Sequence, residues 1–189
     1  SIRFTAFLTF PLLVGGLMVA PALFHLLFKS QWWAAIPYFQ LLCAGGCFTV
    51  LTAINNNFIK VSGCSSGILK IEIFKIILTI AAIALLFRAS VLAMVAGLIA
   101  VRVAVHLINM AYTQRYTGYT FMAQAADTLP YVVLAALMAG AVYAAGLVTS
   151  TAWLQLILQV VVGATVYIGL AYLTGSKILK EAISLLKKK

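Results

Sequence analysis

Residues 91–112 read VLAMVAGLIAVRVAVHLINMAY. The run matches the roughly 20 apolar residues a helix needs to cross a bilayer. Arg102 stands near its middle, with His106 and Asn109 following at offsets of four and three, so the three side chains share one helical face. A charge at that depth costs about 2.5–3.5 kcal/mol on insertion scales. Such a face is tolerated when it looks into protein or a water-filled cavity, and the other segments are read as the wall around it. A structural partner for Arg102, or snorkelling, is the alternative.

The rest of the chain supports a membrane setting. Of 189 residues, 65% are hydrophobic and only 8% charged, and the mean hydropathy is +1.12, against about 45–50% apolar and 25% charged in soluble domains. The fold class expected is an all-α integral membrane protein with six spans, at residues 4–28, 34–57, 71–87, 91–112, 129–147 and 152–173. Together these make a transmembrane region over 1–174, followed by a basic amphipathic tail helix over 175–189. In the first span Pro11, Gly15–Gly16 and Pro21 predict a bend. Lys29 to Trp33 reads as an interfacial loop with an aromatic belt. Asn55, Asn56 and Asn57 are expected to end the second span and cap its turn. Glu72 is expected in the first turn of the third span, near Lys75, and residues 121–126 as a short interfacial helix. Ala136, Gly140 and Ala144 form a small-residue face suited to close helix approach.

Lys and Arg number 13 against 3 acids. The excess follows topology rather than nucleic acid, and no nucleic-acid motif is present. With six spans, ten of the basic residues fall on the side of the two termini, only Lys29 and Arg88 on the other, and Arg102 within a span. The positive-inside rule then places both termini, Glu72 and Asp127 on the cytoplasmic side. Ser1 is expected to be an interior position of a longer protein whose earlier helices precede it.

Catalytic patterns are sparse. There is no G-x-S-x-G elbow, no H-E-x-x-H and no phosphate-binding G-x-x-x-x-G-K-[ST] loop. The cysteines, Cys43, Cys47 and Cys64, imply neither a disulfide framework nor a metal site. No cofactor is implied. His106 with Asn109 loosely resembles the intramembrane His and Asn of membrane-bound O-acyltransferases, and that is the enzyme alternative. A face carrying Arg102 and His106 better suits an anionic cargo, because guanidinium is always charged and forks onto phosphate oxygens.

The order of markers is similar to a known family. Phe10–Pro11, Gly16–Leu17 and Ala20–Pro21 occupy the first span, followed by Trp32, Pro37 and Gln40–Leu41. After them come the asparagines, a turn with Gly63, Leu69-Lys70-x-Glu72, Asn109, Gly118–Tyr119, Asp127 and Pro130. Across nearly the whole chain this resembles the C-terminal part of bacterial polysaccharide flippases, the O-antigen and exopolysaccharide (lipopolysaccharide biosynthesis) branch of the MOP superfamily, related to MATE exporters. Lys29–Ser30 stand where the family often has a glycine, and Gly63–Cys64 where it often has Gly-Arg. The resemblance implies the last six of around fourteen spans, about one lobe of a transporter, partnered by the missing N-terminal transmembrane half. It implies movement of an undecaprenyl-pyrophosphate-linked oligosaccharide across the bacterial inner membrane. Arg102, His106 and Asn109 are the residues expected to meet that lipid-linked substrate. A MATE-like exporter of another cargo is the alternative on the same scaffold.

The orientation is testable by cysteine labelling. A cysteine at Ser30 is expected to react with an impermeant maleimide from outside, and one at Ser66 only after permeabilisation; the reverse pattern overturns the assignment.

Overall fold

The computed structural model describes residues 2–149 and 151–174, and the expected tail helix at 175–189 lies outside them. The described residues form helices α1 (Ile2–Leu27), α2 (Ile36–Val61), α3 (Ser65–Leu86), α4 (Val91–Thr117), α5 (Phe121–Gly146) and α6 (Ala152–Leu173), with a 3-10 turn over Ser30–Ala35 and no strand. Five stretches are long and apolar enough to cross a membrane: Arg3–Leu27, Ser30–Val61, Val91–Thr117, Phe121–Gly146 and Ala152–Leu173. The protein is therefore an all-helical membrane protein. α3 stands apart. At 22 residues it is about 33 Å long, but it carries Lys70, Glu72 and Lys75 in its first half.

Several helices outrun their apolar stretches, because a helix satisfies its own backbone beyond the hydrocarbon as well as within it. α2 continues to Val61, so the asparagines do not end it; the turn is confined to residues 62–64, where Gly63 adopts φ +76. α3 begins at Ser65, so Glu72 lies two turns in, too deep for the helix dipole to favour it. α5 starts at Phe121, and residues 121–126 are its first turns rather than a separate helix. Its start is fixed locally: Thr120 Oγ1 accepts from the Ala123 N–H at 3.2 Å, and Gln114 Oε1 from the Phe121 N–H at 3.0 Å. Just before it, Gly118 ends α4 in the left-handed region at φ +72, which costs a glycine nothing.

The helices divide into two compact units. The first comprises chiefly residues 37–128, that is α2, α3, α4 and the start of α5. Its core is Ile59, Ile71 and Val105, with Ile68, Val101, Ile108 and Tyr112 packed around them. α3 lies close against α4 at two glycines. A Cβ on Gly97 would strike the Leu86 side chain, and one on Gly67 would come within 3.3 Å of the Tyr116 ring.

The second unit holds α1, the 3-10 turn, the remainder of α5 and α6. α1 continues through Pro11 and Pro21 as one helix. Pro11 has no N–H to give the Phe7 carbonyl four residues earlier. The Tyr167 hydroxyl of α6 donates to that carbonyl instead, at 2.8 Å, which is how a neighbouring helix makes a proline tolerable in lipid. The Phe7 ring sits against Tyr167 and edge-on to Tyr131, with centroids 5.4 and 6.1 Å apart. On α5 the buried face is Tyr131, Leu134, Ala135, Met138, Val142 and Ala145. The small-residue face of Ala136, Gly140 and Ala144 is exposed, with no described neighbour within 4 Å of a Cβ placed on Gly140. The close approach of α5 to α6 falls instead at Gly146, where a Cβ would strike the Gln159 side chain, and at Gly163, where one would lie 3.0 Å from Val142.

Tyr167→Phe is expected to destabilise the protein by about 0.6–1.7 kcal/mol, the range for hydrogen bonds between membrane helices. On a Pro11→Ala background the restored N–H serves Phe7, so the same change is expected to cost less than half as much. Reversible unfolding in mixed micelles measures both; equal costs in the two backgrounds refute the coupling.

Candidate functional site

The face read from the sequence opens on a cavity of about 520 Å³ inside the first unit. Each of three helices contributes polar side chains at offsets of three and four: Thr49, Thr52 and Asn56 from α2, Glu72, Lys75 and Thr79 from α3, and Arg102 from α4, whose His106 and Asn109 continue the series behind the wall. Leu98, Val101 and Val105 supply the apolar floor.

Arg102 is half-buried and lines the cavity. Its side chain passes over Gly45 of α2. A Cβ at that position would lie 3.3 Å from the Arg102 Nη1 and 3.0 Å from Ile99. Arg102 makes no hydrogen bond or ion pair with any described residue. The carboxylate in the cavity is Glu72, and it pairs with Lys75 on its own helix. Two cations and one anion thus line the site, with one positive charge in excess. Three threonines and an asparagine amide add hydrogen-bonding capacity. Such a wall suits an anion bearing oxygens or hydroxyls, held by a guanidinium that has all its donors to give.

His106 and Asn109 do not line the cavity; they hold what does. His106 is 7% exposed, its Nδ1 lies 3.2 Å from the Thr52 hydroxyl, and its ring is 6.0 Å from that of Phe48. Asn109 is fully buried and its amide donates to Asn56 Oδ1 at 2.7 Å. The structure therefore separates the three residues that the sequence reading groups as substrate contacts. Arg102 faces the cavity, while the other two orient a hydroxyl and an amide on its wall.

Behind them lies a buried amide layer. Asn55 donates to Gln124 Oε1 at 3.1 Å, and Gln124 donates to the carbonyls of Met110 and Tyr119 at 3.2 and 2.8 Å. The layer ties α2 to α4 and to the start of α5. Gln124 carried no signal in the sequence beyond being polar. Glu72 and Lys75 were placed at the cytoplasmic end of a span, away from Arg102; they line the same cavity. The signal available for them was the spacing 72, 75, 79, which repeats the offsets seen on α2. Among the described residues no three His, Cys, Asp or Glu side chains come together. Comparison with family models, with curated proteins and with solved structures gives no match.

Removing Asn109 strands Asn56 and leaves a hole, so Asn109→Ala is expected to cost about 1–3 kcal/mol. Asn57→Ala, one residue from the bonded pair and exposed, is expected to cost under about 0.5 kcal/mol. Unfolding of both in mixed micelles checks the contrast, and equal losses would remove the amide layer from the account of stability.

Proposed function

We propose that this chain is part of a transporter for an anionic, phosphate-bearing lipid-linked substrate, and that Arg102 is the residue that meets the phosphate. In its specific form the reading is a flippase moving undecaprenyl-pyrophosphate-linked oligosaccharide across the bacterial inner membrane for polysaccharide biosynthesis. In this reading α3 is the sixth span, the six helices form about one lobe, and both ends of the segment face the cytoplasm.

One observation carries the proposal. Arg102 opens, without an ion-pair partner among the described residues, on a cavity lined by hydroxyls and an amide. A guanidinium held for structural reasons inside a membrane protein is normally paired, because an unpaired charge there is expensive. A guanidinium kept unpaired beside hydroxyl and amide groups suits a ligand that brings both negative charge and sugar-like hydroxyls. The order of sequence markers gives the glycan-lipid form of that ligand. Thr52, held by His106, and Asn56, held by Asn109, are the groups offered to its uncharged part.

The test is transport per inserted molecule of the protein containing this chain, measured beside expression. Arg102→Lys is expected to lower flipping about tenfold, since the charge stays but the fork is lost. Arg102→Met is expected to lower it further at unchanged expression, because removing the charge eases insertion. His106→Gln is expected to retain partial flipping. Normal flipping by Arg102→Met at normal expression would end the reading.

A further inference from the structure

Three charged side chains line the cavity of the first unit: Arg102 from α4, and Glu72 and Lys75 from α3. An anion held by Arg102 therefore shares its cavity with a second cation and with a carboxylate. Lys75 pairs with Glu72, one turn earlier on the same helix, and neither has another charged partner among the described residues. The pair is loosely kept. The Lys75 and Glu72 side chains retain 42% and 38% of their exposure, and an i,i+3 pair that wet is among the weakest of ion pairs. An ammonium also has three N–H donors, of which one carboxylate oxygen occupies one.

The threonines leave an anion to the cations. Thr49 donates to the Gly45 carbonyl at 3.2 Å and Thr79 to the Lys75 carbonyl at 2.7 Å, each four residues back on its own helix. Those two hydroxyls can accept from a sugar, but each has spent its one proton and has none for a phosphate oxygen. The charge-assisted donors of the wall are the Arg102 guanidinium and the Lys75 ammonium. They come from two helices that pack closely against each other.

We propose that Lys75 is the second cation of this site, that it meets one charge of a pyrophosphate while Arg102 meets the other, and that Glu72 keeps the grip weak enough for release. The inference rests on Arg102 as the phosphate contact. Lys75 acts as a bridge, with one N–H on Glu72 and the others turned to the ligand. Glu72 opposes binding twice, by engaging the ammonium and by placing a like charge beside the phosphate. A conducting site has to be of this kind, since a cargo that is held too well does not leave. The site so built prefers a doubly charged pyrophosphate diester to a singly charged phosphodiester.

The experiment uses the whole protein containing this chain, in nanodiscs, with two radiolabelled probes of like body. Citronellyl methyl pyrophosphate carries two charges and citronellyl methyl phosphate carries one. On the wild-type protein the pyrophosphate is expected to bind about tenfold more tightly, the worth of one charge-assisted hydrogen bond. Lys75→Gln is expected to bring the two probes together, and Arg102→Met to weaken both. Glu72→Gln is expected to tighten the pyrophosphate about threefold, and to lose that gain on a Lys75→Gln background. Equal affinity of the two probes on the wild-type protein, or a Glu72→Gln gain that survives Lys75→Gln, would overturn the part given to Lys75 and leave Arg102 standing. Unaltered binding of both probes by Arg102→Met would instead remove the reading on which the inference rests. The wild-type comparison decides even if Lys75→Gln fails to fold, and Lys75→Arg, which keeps the charge, is expected to keep the preference for the pyrophosphate.

Discussion

An amide buried where there is no water has to find another amide, a hydroxyl or a carbonyl. That requirement organises the first unit. Asn109 with Asn56, and Asn55 with Gln124, set the rotation of α2 and α4 about their axes, since a turn of either helix by one residue would carry the amides out of register. Once that register is fixed, Thr52, Asn56 and Arg102 have no choice of face. The cavity is the consequence of the pairing as much as of the side chains that line it. The second unit meets the same requirement where the Gln159 amide donates to the Val142 carbonyl, and where a tyrosine hydroxyl supplies the donor that a proline withholds from its own helix.

Much of this was legible in the sequence. Apolar length alone located α1, α2, α4, α5 and α6, because the bilayer sets a minimum span and the chain meets it with few charges. The polar face of α4 was legible because three ionisable or amide residues at helical spacing inside an apolar run have few explanations. The helix ends were not, since a hydropathy reading finds the stretch that sits in hydrocarbon and not the turns that continue beyond it. The asparagines illustrate the limit. Three consecutive amides look like a terminus by local chemistry, and only the neighbouring helices reveal that two of them are partnered within α2. Gln124 and Glu72 were unreadable for the same reason: their meaning lies across a helix interface. The small-residue face of α5 shows the converse, a pattern that permits close packing without requiring it.

Gly45 bears on the site through what it lacks. The Arg102 side chain occupies ground that a methyl group at position 45 would contest. A Cβ there would sit 3.0 Å from Ile99 and 3.3 Å from the Arg102 Nη1, so even one methyl group asks both side chains to give by a few tenths of an ångström. A longer side chain at 45 would press on the guanidinium directly, so the bare backbone of α2 is part of what sets where the charge sits along the cavity wall.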